Sequence, residues 1–251
     1  MKKIISFLLS IALVVGMMAG FGVMPVKAKT IDPPPYSLYA TPTMKSVKLK
    51  WEKSNNVKKI IVYRADITKK YKKDPFVKLK KKSFKKIATF YGKTVKMTDK
   101  AVKKKRCYAY YIKAVLKKKW DGKKTYSTFD KKWYTKAYVG LEKPSVYAGG
   151  TDNYPITEKQ IYIRCDYGVG AEPKKFIIYR KGPNDKKYKK IKLKEGSDED
   201  ENRFFYCDKN VEANKAYKYK VRAYYKKGKK KYYSKYSSPV TVVAQSEVET
   251  E

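Results

Sequence analysis

The chain has 251 residues, with 62 Lys and Arg against 23 Asp and Glu, a formal net charge of +39, and no His. The missing imidazole excludes Ser-His-Asp and Cys-His nucleophile activation and every His-ligated metal site. Only six of the cations are Arg, and Lys is a hydrated point charge rather than a bidentate fork, so the expected attraction to polyanions is broad and salt-sensitive.

In chain order, Lys2 and Lys3 precede a largely apolar run from Ile4 to Gly22, and Pro25, Val26, Lys27 and Ala28 follow. A charged start, an apolar stretch and a small-residue exit predict a secretory signal peptide over residues 1–28, cut after Ala28. The run approaches the roughly 20 residues that span a bilayer, so an uncleaved N-terminal anchor is the competing reading. No Cys sits in or just after the run, and residues 245–251 form a polar, acidic tail without a hydrophobic stretch, so neither a lipoprotein anchor nor a second span is expected. Cleavage leaves 59 cations against 23 acids, a net +36, on a chain expected to be secreted and extracellular, soluble or held to the cell wall by non-covalent contacts.

Period-2 alternation in β-rich composition predicts strands over residues 37–40, 47–51, 59–64, 85–90, 94–98, 108–116 and 125–133, then 161–167, 175–180, 189–193, 203–207, 217–225 and 231–243. No sustained helical period interrupts them. The two groups are copies of one unit. Met97-Thr98-Asp99-Lys100-Ala101-Val102 recurs as Tyr206-Cys207-Asp208-Lys209-Asn210-Val211, and Tyr108-x-Tyr110-x-Ile112-x-Ala114 recurs as Tyr217-x-Tyr219-x-Val221-x-Ala223, all at a shift of 109. Upstream, Ile60-Ile61-Val62-Tyr63-Arg64 matches Phe176-Ile177-Ile178-Tyr179-Arg180 at a shift of 116, so the first copy carries seven extra residues, expected as a longer loop over 69–82. About seven short strands per hundred residues predicts an all-β fold of two tandem Greek-key sandwiches, over residues 33–139 and 144–244. Gly140 and Pro144 punctuate the junction, a linker short enough to keep the domains close without fixing their angle.

Leu38 lies in a Pro-led first strand, Val47-x-Leu49-x-Trp51 in the second, a Tyr-x-Tyr-x-Ile/Val-x-Ala strand recurs in each copy, and Ser127 and Ser234 fall in the last strands. On these residues the chain resembles the fibronectin type III domains. The resemblance spans nearly everything from about residue 33 to residue 243 and implies a tandem fibronectin type III protein of the secreted bacterial kind, with Tyr108, Tyr110, Tyr217 and Tyr219 as core and corner residues. In the second copy Val47, Leu49 and Trp51 become Ile163, Cys165 and Tyr167, a departure at the Trp.

Three Cys, at 107, 165 and 207, do not make a disulfide scaffold. Cys165 and Cys207 fall on neighbouring strands, but alternation turns Cys165 inward with Ile161 and Ile163 while Tyr206, not Cys207, takes the inward place, so no bridge is expected. Glu195, Asp198, Glu199, Asp200 and Glu201 are a conspicuous acidic run that could offer oxygen ligands to Ca²⁺, yet its spacing matches no calcium loop and it reads as a solvated segment. No metal or cofactor site is expected. No activated nucleophile or acid–base pair can be named, so the chain is not expected to be an enzyme.

The candidate binding residues are Tyr179, Lys218, Lys220, Arg222 and Tyr224, which alternation sends to the outer face of two neighbouring strands. Rings beside cations suit acidic sugars, or stacked bases with their phosphates. A solvated face of a half-buried sheet gives the same pattern. The expected function is a binding or spacer module held to anionic wall polymers or acidic glycans. Extracellular DNA, and an accessory structural role with a protein partner, are the alternatives.

Overall fold

Val47-Lys-Leu49-Lys-Trp51 shows how the elements arise: the three apolar side chains are buried and the two lysines between them exposed, the signature of a strand with one face on the core. The computed structural model describes residues 37–92, 94–119, 134–149, 159–191, 199–200 and 203–245. The expected signal peptide, the strand over 125–133 with Ser127, the acidic run except Glu199 and Asp200, and the tail after Gln245 lie outside the described residues.

In the first copy β1 (Leu38–Pro42), β2 (Val47–Trp51) and β5 (Lys96–Asp99) form one antiparallel sheet in the order β1-β2-β5. The second sheet is β4 (Lys85–Tyr91), β3 (Val57–Asp66), β6 (Cys107–Leu116) and β7 (Thr135–Tyr138), in the order β4-β3-β6-β7. Between them lie Val47, Leu49, Trp51, Ile60, Val62, Tyr108 and Tyr110.

The second copy repeats the plan. β8 (Ser145–Gly149), β9 (Ile161–Asp166), β13 (Arg203–Asp208) and the two-residue β12 (Glu199–Asp200) form one sheet, in the order β12-β13-β9-β8. The other holds β11 (Lys189–Lys190), β10 (Lys175–Lys181) and β14 (Ala216–Lys227), with β15 (Lys230–Tyr233) and β16 (Val240–Val243) both pairing with β14. The fold is thus the expected tandem Greek-key, fibronectin type III-like β-sandwich. Among the described residues no helix is long and apolar enough to cross a membrane.

Four local expectations need correction. The region expected as one strand over 231–243 is two, because Ser234 and Ser237 interrupt the ladder: their hydroxyls accept the N–H groups of Ala223 and Val221 at 2.9 Å each, and Pro239 has no N–H to give. The longer segment of the first copy is not simple loop but holds α1 (Thr68–Lys73) and a 3₁₀ turn at Lys81–Ser83. Strands β7, β8 and β12 were not expected; β12 pairs Glu199 and Asp200, from the acidic run expected as a solvated segment, with β13. β11 is two residues long where five were expected, with 192–198 beyond the described residues.

Losing the Trp in the second copy is offset by volume from two other positions. Around Trp51 stand Ile60 and Val95; at the matching places Tyr167 has Phe176 and Phe204, whose rings lie 5.8 Å apart. Interiors tolerate such exchanges when total volume is conserved.

Each core closes on the same polar knot. Asp99, 4 % exposed, accepts hydrogen bonds from Arg64 Nη1 (3.0 and 2.8 Å), from the Tyr110 hydroxyl (3.1 Å) and from the Ala101 N–H (3.0 Å). Asp208, 1 % exposed, accepts the same set from Arg180 (3.1 and 3.0 Å), Tyr219 (2.9 Å) and the Asn210 N–H (3.1 Å). The neighbouring tyrosines close the corners, with the Tyr108 hydroxyl accepting from Lys103 N–H at 3.0 Å and Tyr217 from Glu212 N–H at 2.8 Å.

At the junction, where the short linker was expected to keep the domains close, backbone and side-chain hydrogen bonds tie the chain. Backbone bonds run from Gly140 N–H to Thr43, from Tyr138 N–H to Val169 and from Ala171 N–H to Gly140, each at 2.9 Å. Glu142 accepts the Val169 N–H at 3.0 Å and a hydrogen bond from Tyr71. Burial pushes the Glu142 carboxyl above its usual range, and those two bonds offset it in part. A Cβ at Gly170 would stand 2.8 Å from the Glu142 Cβ and 2.9 Å from its backbone N, so the chains approach here only because Gly170 has no side chain. Both sandwiches fall in one compact unit, Ile31–Glu251.

The cysteines follow the facing argument. Cys165 and Cys107 are fully buried, Cys207 is half-buried on the far face of its strand, and all three are free thiols. Burial pushes the Cys107 thiol up to about 12 and raises Cys165 likewise.

Two outcomes follow from the knots. Asp208→Ala, which strands Arg180 and Tyr219 in a dry corner, is expected to cost about 3 kcal/mol in urea unfolding; a loss under about 1 kcal/mol would show that water replaces the carboxylate. Burial, and then the adjacent carboxylate, raise the Tyr110 and Tyr219 phenols well above the ordinary value near 10. A pKa raised on folding gives stability that is whole below the unfolded value and is lost above it. Unfolding free energy should therefore begin to fall above about pH 8, where the Cys107 and Cys165 thiols ionise in the unfolded chain but not in the core, and fall further beyond about pH 10, while tyrosinate absorbance from the buried rings appears only with unfolding.

Candidate functional site

The outer face of the second copy's large sheet is built by alternation on β10 and β14. Phe176 and Ile178 point into the core, which sends Lys175, Ile177 and Tyr179 outward; Tyr217, Tyr219, Val221 and Ala223 point in, which sends Lys218, Lys220, Arg222 and Tyr224 outward. Register places Tyr179 opposite Lys220, Ile177 opposite Arg222 and Lys175 opposite Tyr224.

Of the five expected residues, Tyr179, Lys220 and Arg222 come together. Arg222 Nη2 donates to the Tyr179 hydroxyl at 3.0 Å, and its guanidinium lies 4.3 Å from the Tyr233 ring centre, 5.1 Å from that of Tyr236 and 5.6 Å from that of Tyr179. The Lys220 ammonium stands 4.2 Å over Tyr188 and 4.5 Å over Tyr236. Tyr179 and Tyr236 meet edge to face at 5.3 Å. Tyr224 sits beside this group, 5.2 Å from Tyr233 and beneath Lys175 at 5.4 Å. Lys218 is set apart at the end of the face, opposite Lys181 on one side and Thr241 on the other.

Tyr188, Tyr233 and Tyr236 were missed by the sequence reading. Tyr236 reaches the face from the break between β15 and β16, so a reading that kept one continuous strand could not place it; the Ser234, Ser237 and Pro239 cluster was the signal. Tyr188 precedes β11 and carries no periodic signal of its own.

Electrostatically the face is one-sided. The strands β10, β14 and β15 contain no acidic residue. Arg222 Nε is buried and has no hydrogen-bond partner among the described residues. Burial raises the Tyr179 phenol, and the hydrogen bond to Tyr236 adds to this, while the Arg222 charge works against both. Ile177 faces outward yet is only 7 % exposed, so the rings and cations act as cover as well as surface. Tyr233 and Tyr236 remain open, at 46 % and 39 %.

The same face in the first copy is shut. There Tyr63 and Tyr111, which match Tyr179 and Lys220, stack at 4.5 Å with planes 4° apart, and Phe84 caps Tyr111 edge-on at 4.9 Å. Ile67 and Leu79 from the seven-residue-longer segment complete a third buried cluster on that side. One sheet surface is thus packed under the chain's own residues, while on its counterpart Tyr233 and Tyr236 stay open among the described residues.

No family model and no curated protein matches the chain. Among solved structures it is similar to the chicken interferon gamma receptor alpha chain, at 7 % identity and a TM-score of 0.33, over 85 % of this chain and 98 % of that one. It is also similar to the chicken CNTN1 FN1-FN3 domains, at 13 % identity and a TM-score of 0.31, over 86 % of this chain and 67 % of that one. The fold assignment rests on strand order and register, not on these remote likenesses.

Truncating Tyr236 to Ala removes a ring that contacts Tyr179, Lys220 and Arg222 at once. It is expected to cost about 1 kcal/mol in chemical denaturation, the scale of one aromatic pair plus a partly exposed cation–π contact; no loss at all would mean that the ring lies idle on the surface.

Proposed function

We propose that this chain is a non-catalytic extracellular binding module that holds acidic polysaccharides, such as anionic wall polymers or acidic glycans, on the open sheet face of its second sandwich. The observation that supports this reading most is the convergence of Tyr188, Tyr233 and Tyr236 with Lys220 and Arg222 over a face whose strands β10, β14 and β15 hold no carboxylate. Sugar rings offer C–H faces that rest on aromatic rings, and their acid groups need unpaired cations beside those rings. Lys220 and Arg222 supply the charge, Tyr233 and Tyr236 the exposed faces, and Tyr179 holds the guanidinium in place. Export by the N-terminal segment would bring this face to such polymers outside the cell.

The experiment is a binding titration of the chain from residue 29 onward with an acidic polysaccharide, an uncharged one and single-stranded DNA, each at two salt concentrations. Binding should favour the acidic polysaccharide and weaken with salt. The Tyr233→Ala/Tyr236→Ala pair should weaken it about tenfold, on the scale of one to three kcal/mol for a stacking ring. Retention of DNA alone, or equal binding by the double variant, would overturn the reading.

A further inference from the structure

The first copy departs from the second in two separate segments, and both departures place cations around one cleft. One is the longer segment after β3, where α1 supplies Lys69, Lys70 and Lys72; the other is the turn between β5 and β6, where Lys104, Lys105 and Arg106 stand in place of Ala213, Asn214 and Lys215. These six exposed side chains line a cleft of about 590 Å³ whose floor includes Ile67, 2 % exposed.

The turn itself does not require these residues. Lys105 has φ +59° and Asn214 has φ +58°, and each donates its N–H at 2.8 Å to the matching carbonyl, of Val139 or Ala244. Asn enters the left-handed region readily and Lys does not, so the second copy carries the residue that the backbone prefers and the first carries a cation against that preference. The one acid in the cleft is spoken for. Asp66 accepts the Thr68 N–H at 3.0 Å and its hydroxyl at 2.6 Å, and pairs with Arg106 at 2.7 Å. Partial burial works to raise the Asp66 carboxyl, but the bonds from Thr68 and Arg106 outweigh it and hold the group below its usual value. None of the five lysines forms an ion pair with a described carboxylate.

We infer that this cleft is a second binding site, for a linear phosphate chain without bases, such as inorganic polyphosphate or a polyol phosphate. Clustered ammonium groups act as point charges suited to successive phosphates. No residue lining the cleft is aromatic, so a nucleobase would find nothing to stack on. The site lies on the first sandwich and is independent of the tyrosine face on the second.

The test is calorimetric titration of the chain from residue 29 onward with inorganic polyphosphate, and in a second arm with a glycerol-phosphate oligomer. The variant Lys104→Ala/Lys105→Asn installs the second copy's own residues, so the turn keeps a conformation that it already adopts with them, and thermal unfolding should be unchanged or improved. Polyphosphate binding should weaken about tenfold for this pair, and less than about twofold for Lys226→Gln/Lys227→Gln, which removes the same charge from β14. Tyr236→Ala should leave polyphosphate binding intact, which separates this site from the polysaccharide reading. Equal weakening by the two lysine pairs, absence of polyphosphate binding, or an oligo-dT that binds as tightly and is weakened by the same pair, would overturn the assignment.

Discussion

Each sandwich depends on a carboxylate buried where its two sheets meet. Asp99 and Asp208 each face an arginine from the third strand of their copy and a tyrosine hydroxyl from the long strand beside it. A carboxylate so nearly excluded from water is tolerable only when its lone pairs are filled, and here three donors fill them through four hydrogen bonds. The bonds link the end of one sheet to the middle of the other, and they fix the chain direction after the corner because Ala101 and Asn210 donate to the same oxygens that hold the arginines. Apolar packing supplies most of the stabilisation on both sides. The knot decides which of many oily arrangements is adopted.

With that frame repeated, the copies are free to differ on their outer faces, and the differences are complementary in kind. The longer segment of the first copy covers a tyrosine pair, so the part of its large sheet around Ala65, Ala109 and Tyr111 is buried on its outer face as well, and cations stand at the rim. In the second copy, among the described residues, no such cluster forms on the matching face, and Tyr233 and Tyr236 stay open there. A duplication that preserves the core while exchanging which surface is covered yields two unlike surfaces from one plan, and the tied junction holds both within a single compact unit.

Much of this was legible in the residues. The repeat, the alternation in β2 and β9 and the paired Tyr-x-Tyr strands are period-2 signals, and period 2 is what a half-buried sheet imposes. Even the opposite facing of Cys165 and Cys207 follows from it. The knots were present as matching letters at Arg64 and Arg180, Asp99 and Asp208, Tyr110 and Tyr219, but repetition shows that positions correspond, not that they touch, and their meeting depends on a crossing between sheets. Tyr188 and Tyr236 escaped for a related reason: each stands outside regular strand, where alternation has no say. The helix in the first copy is six residues long, too short to leave a period of its own.

The three thiols have a consequence for stoichiometry. Two sulfurs per chain are sealed in the cores and raised far out of reach of oxidants that need a thiolate, which leaves Cys207 as the single accessible one. An odd number of cysteines in an oxidising medium threatens random networks when all of them can react. A folded chain of this kind has one reactive valence, so covalent coupling through sulfur ends at a pair of molecules and cannot propagate into a gel.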